Sequence, residues 1–103
     1  MDYKISVIGS TGSIGRQTLD VAENLGIQVE ALSANSQVDL IAEQARKFRP
    51  KFIAMGSEKA AKDLKIAISD LDIKIGWGSD ALTEAAAYES ADCLVTAVSG
   101  SVG

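Results

Sequence analysis

Three glycines stand at positions 9, 12 and 15, in the run Gly9-Ser10-Thr11-Gly12-Ser13-Ile14-Gly15. An apolar stretch, Ile5-Ser6-Val7-Ile8, comes directly before them and an amphipathic segment follows. A glycine turn between a strand and a helix can hold the pyrophosphate of a dinucleotide. Gly9 permits the sharp exit from the strand. Gly12 lets the backbone approach the diphosphate, and Gly15 lets the new helix pack closely. The N–H groups of the first helical turn then face the ligand, and the helix dipole favours its negative charge. The spacing is one, four, seven, where the more familiar fingerprint has one, three, six. Many glycine-rich turns are only turns; the strand before this one and the helix after it set it apart. No Gly-Lys-Ser/Thr triplet follows, which argues against a Walker-type loop.

The end of the second strand bears on which dinucleotide fits. NAD-binding domains usually place an acid about 20 residues after the loop, where it accepts from the ribose 2′-OH. Here that region reads Ser33-Ala34-Asn35-Ser36-Gln37, and the nearest acid, Glu30, lies earlier, within the strand. An acid would repel a 2′-phosphate, so its absence favours NADP. Asn35, Ser36 and Gln37 can donate to phosphate oxygens. Ser36, with Asp39 three residues on, also reads as a capping box for the next helix.

These residues need a scaffold, and the chain supplies one. The 103 residues suit one domain, with 47% apolar and 23% charged residues. Expected strands are 5–8, 27–32, 51–55, 72–77 and 92–98. Ile14, Thr18, Ala22 and Leu25 form the expected stripe of the first helix, which Gly26 ends. Val38, Ile41, Ala45 and Phe48 mark the second helix, stopped by Pro50. Ser57 caps a third, with stripe Ala61, Leu64 and Ile68. Ser79 or Asp80 starts a fourth, through Leu82, Ala85, Ala86 and Tyr88. Five strands alternating with four helices give the fold class: α/β, a Rossmann-like open parallel sheet with helices on both faces. The run Ser99–Gly103 falls where a further helix would begin, so the domain is expected to be truncated after strand five.

Other chemistry is thin. The chain has one cysteine, Cys93, and no histidine. No disulfide can form within it, and the commonest general base and metal ligand is missing. Cys93, in an apolar strand, reads as a packed thiol. Asp20, Glu23, Glu43, Asp63, Glu84 and Glu89 read as solvated helix faces. The basic run Arg46, Lys47, Arg49 and Lys51 suits the end of the second helix. A net charge of −4 argues against a nucleic-acid partner. No signal segment or membrane span is legible, so a cytoplasmic setting is the expectation. No catalytic or metal set emerges.

The glycine run, continued by Thr18-Leu19-Asp20-Val21, closely resembles the start of 1-deoxy-D-xylulose 5-phosphate reductoisomerases. So do Ala31-Leu32-Ser33-Ala34-Asn35, the set Ala42-Glu43-Gln44-Ala45, Phe48, Pro50 and Lys51, and the final Ala97–Gly103. The resemblance implies an NADPH-dependent, homodimeric enzyme of non-mevalonate isoprenoid synthesis. Such an enzyme converts 1-deoxy-D-xylulose 5-phosphate to 2-C-methyl-D-erythritol 4-phosphate with Mg²⁺ or Mn²⁺. It implies that residues 1–103 are the N-terminal NADPH-binding domain, with the catalytic, metal-binding and C-terminal domains absent. Thr11, Gly12, Ser13 and Ile14 then match phosphate-loop contacts. Asn35, Ser36 and Gln37 match the adenosine-phosphate loop, where the family often has a basic residue and this chain has Ser36 and Gln37. Two alternatives are the cofactor domain of an aspartate-semialdehyde dehydrogenase-like enzyme, which shares the Gly-x-Thr-Gly-x-x-Gly turn, and a stand-alone nucleotide-binding module.

Overall fold

In the computed structural model, residues 3–10, 12–34, 37–88 and 91–96 are described; for Ser13, Ile14 and 93–96 the description is of backbone only. Strands and helices alternate along the chain. They are β1 (Lys4–Ile8), α1 (Ser13–Leu25), β2 (Gln28–Ala34), α2 (Val38–Phe48), β3 (Phe52–Met55), α3 (Glu58–Ala67), β4 (Lys74–Trp77), α4 (Gly78–Ala86) and β5 (Cys93–Thr96). The strands form one sheet in the order β4-β3-β2-β1-β5, and every neighbouring pair is parallel. This is the Rossmann-like α/β class expected from the pattern.

The strand order fixes the helix layers. From β1 through β4 the chain steps in one direction across the sheet, and right-handed crossovers put α1, α2 and α3 on one face. Leu19 and Ala22 of α1, Ile41 and Ala45 of α2, and Ala60, Ala61 and Leu64 of α3 share a core there with Ile5, Val7, Leu32, Ile53 and Met55. After β4 the chain returns to the far side of β1, and α4 therefore covers the opposite face. Its Ala81 and Ala85 pack on Ala31, Phe52 and Ala54. Small residues bring α4 close. A Cβ on Gly76 of β4 would stand 3.1 Å from the Ala81 methyl. Among the described residues, no helix is long and apolar enough to cross a membrane.

Side-chain alternation in β2 is broken once. Ile5 pairs with Val29 but Ser6 pairs with Ala31, so Glu30 is an extra residue in the ladder. The bulge lets Val29 join Leu32 and Ala34 on the α1–α3 face, although Val29 and Leu32 are an odd number of residues apart. It also leaves Glu30 in the amino-terminal half of β2. Glu30 is 3% exposed, and the Lys51 ammonium lies 3.3 Å from its carboxylate.

The structure moves several expected positions. The buried side of α1 is Gly15, Leu19 and Ala22, where the expected stripe put Ile14, Thr18, Ala22 and Leu25; Thr18 is half-buried and Leu25 exposed, and the Ile14 side chain lies outside the description. The offset is a rotation of about 70° at about 100° per residue. Close packing of Gly15 sets the rotation, and Leu25, in the final turn before Gly26 (φ +70°), is left 63% exposed. The α2 N-cap is Gln37, with no side-chain cap bond, so the helix begins one residue later than a Ser36 capping box needs. Ser36 itself lies outside the described residues. By contrast Ser57 caps α3, its Oγ accepting from the Ala60 N–H at 3.3 Å. The helix α4 starts at Gly78 rather than Ser79 or Asp80. Gly78 has φ +86°, and this left-handed step turns β4 into α4 without a loop. Trp77, at that junction, is 45% exposed. The stripe of α4 is Ala81 and Ala85, and Leu82 is exposed. Expectations at Glu89 and residues 97–103 lie outside the described residues, as does the Cys93 side chain.

Surface ion pairs tie the helices together. Arg46 grips Asp70 through two bonds of 2.9 and 3.0 Å and donates to the Ala67 carbonyl at 2.8 Å, joining α2 to the end of α3. Hydrogen bonding to Arg46 lowers the Asp70 carboxyl below its ordinary value. Lys47 pairs with Glu23 at 2.8 Å and Lys74 with Glu84 at 3.3 Å. Arg46, Lys47 and Lys51 of the basic run thus serve as inter-element links, and exposed pairs of this kind are of small worth in water.

The two leucines of α1 test its rotation. Leu19 is 2% exposed and Leu25 63%. Leu19→Ala should cost about 2–4 kcal/mol in urea unfolding, and Leu25→Ala less than about 0.5. Equal losses would contradict the observed packing of α1.

Candidate functional site

The glycine turn lies at the carboxyl edge of the sheet. The chain leaves β1 toward β2 on one side, and β5 pairs with β1 on the other. That divergence makes a crevice at the strand ends, the usual ligand position in open α/β sheets. Gly9 follows Ile8 with φ +83°, the left-handed geometry that glycine adopts without strain. Gly12 is the N-cap of α1, extended at φ −79° and ψ 172°. Its N–H donates to the Gly9 carbonyl at 3.2 Å, and its carbonyl accepts from Arg16 N–H at 2.9 Å.

Gly15 explains why the third glycine is needed. A Cβ there would lie 2.2 Å from the Gly9 carbonyl oxygen and 2.7 Å from the Ser10 Cα. Both are backbone atoms and cannot swing away. The first turn of α1 therefore rests directly on the loop. The N-cap residue Gly12 has no side chain to cap this helix, and no acid lies in its first turn. Its leading N–H groups have no carbonyl one turn behind them to bond. The site thus offers donors and the positive end of a helix dipole to an anion.

Two other elements hold the loop in place. The Gly9 N–H donates to Ser33 Oγ at 2.9 Å. The Ser10 N–H donates to the Ser33 carbonyl, also at 2.9 Å. From α2, the Gln44 amide meets Ser10 twice. Its Oε1 accepts from the Ser10 hydroxyl at 2.7 Å, and its Nε2 donates to the Ser10 carbonyl at 2.8 Å. Ser10, Ser33 and Gln44 are all buried. Sequence reasoning missed this set as structure. A glutamine on an amphipathic helix reads as solvated, and only the fold brings position 44 to position 10.

The other expected residues divide as follows. Gly9 and Gly12 stand at the turn. Ser13 and Ile14 open α1, with backbone alone described. Gln37 is exposed at the start of α2, beside an open hollow of about 400 Å³ that it lines with Val38, Asp39 and Leu40. This start of α2 and the glycine turn are at the same edge, since β1 and β2 are parallel neighbours. Thr11, Asn35 and Ser36 lie outside the described residues. Glu30 stands four residues before the end of β2, about 13 Å back along the strand. It is not placed to meet a ribose at the carboxyl edge. Among the described residues, no group of three or more His, Cys, Asp or Glu could hold a metal.

Gly15→Ala should destabilise the chain by at least about 1–3 kcal/mol, the usual range for overpacking. Ser33→Ala should cost about 1–2 kcal/mol, since it strands the Gly9 N–H. Chemical denaturation measures both. An unchanged midpoint for Gly15→Ala would contradict the backbone contact.

Comparison with known proteins agrees with this arrangement. Residues 5–103 match the sequence profile of 1-deoxy-D-xylulose 5-phosphate reductoisomerase. The chain is 46% identical over 99 residues to the reductoisomerase of Ruminiclostridium cellulolyticum, covering 96% of this chain and 26% of that protein. It is 49% identical over 100 residues to that of Lachnospira eligens, covering 96% and 26%. The chain thus spans about a quarter of the length of these relatives. A solved reductoisomerase from Zymomonas mobilis, in complex with NADPH, superposes with a TM-score of 0.78 at 38% identity, over 84% of this chain and 23% of that one. A second, in complex with NADPH, fosmidomycin and magnesium, gives 0.86 at 30% identity, over 93% and 24%. The chain belongs to the 1-deoxy-D-xylulose 5-phosphate reductoisomerase family.

Proposed function

We propose that residues 1–103 form the NADPH-binding portion of an enzyme that rearranges and reduces 1-deoxy-D-xylulose 5-phosphate to 2-C-methyl-D-erythritol 4-phosphate. The observation that carries this reading is the uncapped start of α1, seated on the Gly9–Ser10 backbone at the carboxyl edge of a parallel sheet. The residues present fit a dinucleotide. Gly12 and the first-turn N–H groups of Ser13, Ile14 and Gly15 would receive the pyrophosphate, and Thr11 would complete the turn. Asn35, Ser36 and Gln37 would donate to the adenosine 2′-phosphate. The ending of β2 in Ala34 without an acid, and the pairing of Glu30 with Lys51, support a phosphate there rather than a free hydroxyl.

NADPH supplies hydride when bound. The residues of this chain bind and orient it. We assign the proton-transfer groups, the substrate contacts and the Mg²⁺ or Mn²⁺ site to parts of the protein outside these residues. The resemblance to the reductoisomerases supports a homodimer for the whole protein, and a single cysteine accords with a reduced, cytoplasmic setting.

Calorimetric titration of the chain with NADPH and NADH tests this. NADPH should bind at least about tenfold more tightly, a difference of about 1.4 kcal/mol. Equal affinities, or tighter NADH, would overturn the 2′-phosphate assignment. The chain alone should show no reductoisomerase turnover, and measured turnover would place catalytic groups within it.

A further inference from the structure

Both polar functions of the Gln44 amide are spent on Ser10, a loop residue that is not itself among those assigned to the cofactor. We infer that Gln44 is a positioning residue of the cofactor site, setting the pyrophosphate donors through Ser10. The inference rests on the NADPH reading above. Ser10 is fully buried, and its N–H, O–H and C=O are all engaged by other elements. Its N–H goes to Ser33 of β2 at 2.9 Å. Its hydroxyl and carbonyl go to Gln44 of α2 at 2.7 and 2.8 Å. The same Ser10 backbone is what the first turn of α1 rests on, through Gly15. Gln44 therefore fixes the surface against which the donor end of α1 is registered.

The chemistry of this position is selective. It needs one acceptor and one donor on adjacent atoms, facing a hydroxyl and a carbonyl. An apolar side chain of similar size would leave the buried Ser10 carbonyl without this donor and its hydroxyl with only the longer bond to the Ser33 carbonyl at 3.3 Å. Ionised glutamate would set an acceptor against the Ser10 carbonyl. Protonated glutamate restores the pattern, since its O–H replaces the Nε2 donor. No ionisable residue stands among Gly9, Ser10, Ser33 and Ala34. The charges beside Gln44 on α2 are the exposed Glu43, Arg46 and Lys47, and the last two are paired with Asp70 and Glu23. A glutamate at 44 would be buried opposite a carbonyl, and both factors raise its pKa. Repair of the loop should therefore follow its protonation as pH falls.

The test compares wild type, Gln44→Glu and Gln44→Met in this chain, with folding checked by circular dichroism. NADP⁺, which is stable in acid, and adenosine 2′-monophosphate are titrated at pH 8 and pH 5.5. Relative to wild type, Gln44→Glu should weaken NADP⁺ about tenfold or more at pH 8, equivalent to one net buried hydrogen bond or more. At pH 5.5 it should return to within about threefold. Gln44→Met should stay weak at both pH values, and it carries the test if Gln44→Glu does not fold at pH 8. Adenosine 2′-monophosphate, which lacks the pyrophosphate, should change by less than about twofold in the folded variants. Wild-type affinity in both folded variants would overturn the inference. So would equal, pH-independent loss for both ligands, the mark of a general structural role. Amide exchange of Gly9, Ser10 and Gly12 separates this inference from the NADPH reading. Lower protection in Gln44→Glu at pH 8, restored at pH 5.5, supports the clamp even if wild type binds no NADP⁺; unchanged protection would reject it.

Discussion

The approach of Gly15 to the backbone of Gly9 and Ser10 organises the carboxyl edge of this sheet. With no side chain at 15, α1 begins in contact with the turn that precedes it. That contact sets the rotation of α1, so Leu19 and Ala22 face the sheet and Leu25 does not. It also sets where the helix dipole points. A methyl group at this position would act on the core and on the anion site together, because both depend on the same few ångströms of clearance.

Polar groups then hold the turn from outside. Ser33 reaches it from β2 and Gln44 from α2. Buried polar groups are costly unless satisfied, and a fully satisfied set is rigid and specific. Here the satisfied set joins two consecutive βα units around one serine. The anion site is a product of the whole first half of the chain and not of the glycine run alone. The bulge at Glu30 contributes from a distance, because it re-phases β2. Val29 remains in the core while Ser33 is presented to Gly9.

Local features were the legible ones. The turn expected at Gly9 and the close packing expected at Gly15 are both found, because each of these glycines answers a demand of its own neighbours in sequence. The Ser57 cap and the stripe Ala61, Leu64 and Ile68 are local in the same sense, and the structure keeps them. What could not be read depends on partners far along the chain. Two candidate stripes share Ala22 in α1, and only the contact with residues 9 and 10 selects between them. The bulge at Glu30 is a property of pairing with β1, invisible within β2. Gln44 carries no signal of burial until Ser10 is beside it. The start of α4 departs from the capping pattern for a different reason. Ser79 and Asp80 are good capping types, but Gly78 makes the turn itself and leaves them inside the helix.

The junction of β4 and α4 has an optical consequence. Trp77 is the single tryptophan of the chain, and it ends β4, at the same edge of the sheet as the glycine turn. Three strand spacings, about 14 Å, separate β4 from β1. Half-exposed indole emits in the range where a reduced nicotinamide absorbs, so the indole emission of this chain comes from one lamp fixed at the sheet edge that carries the glycine turn. The sequence has in effect placed its own spectroscopic ruler, with no background from a second tryptophan to subtract.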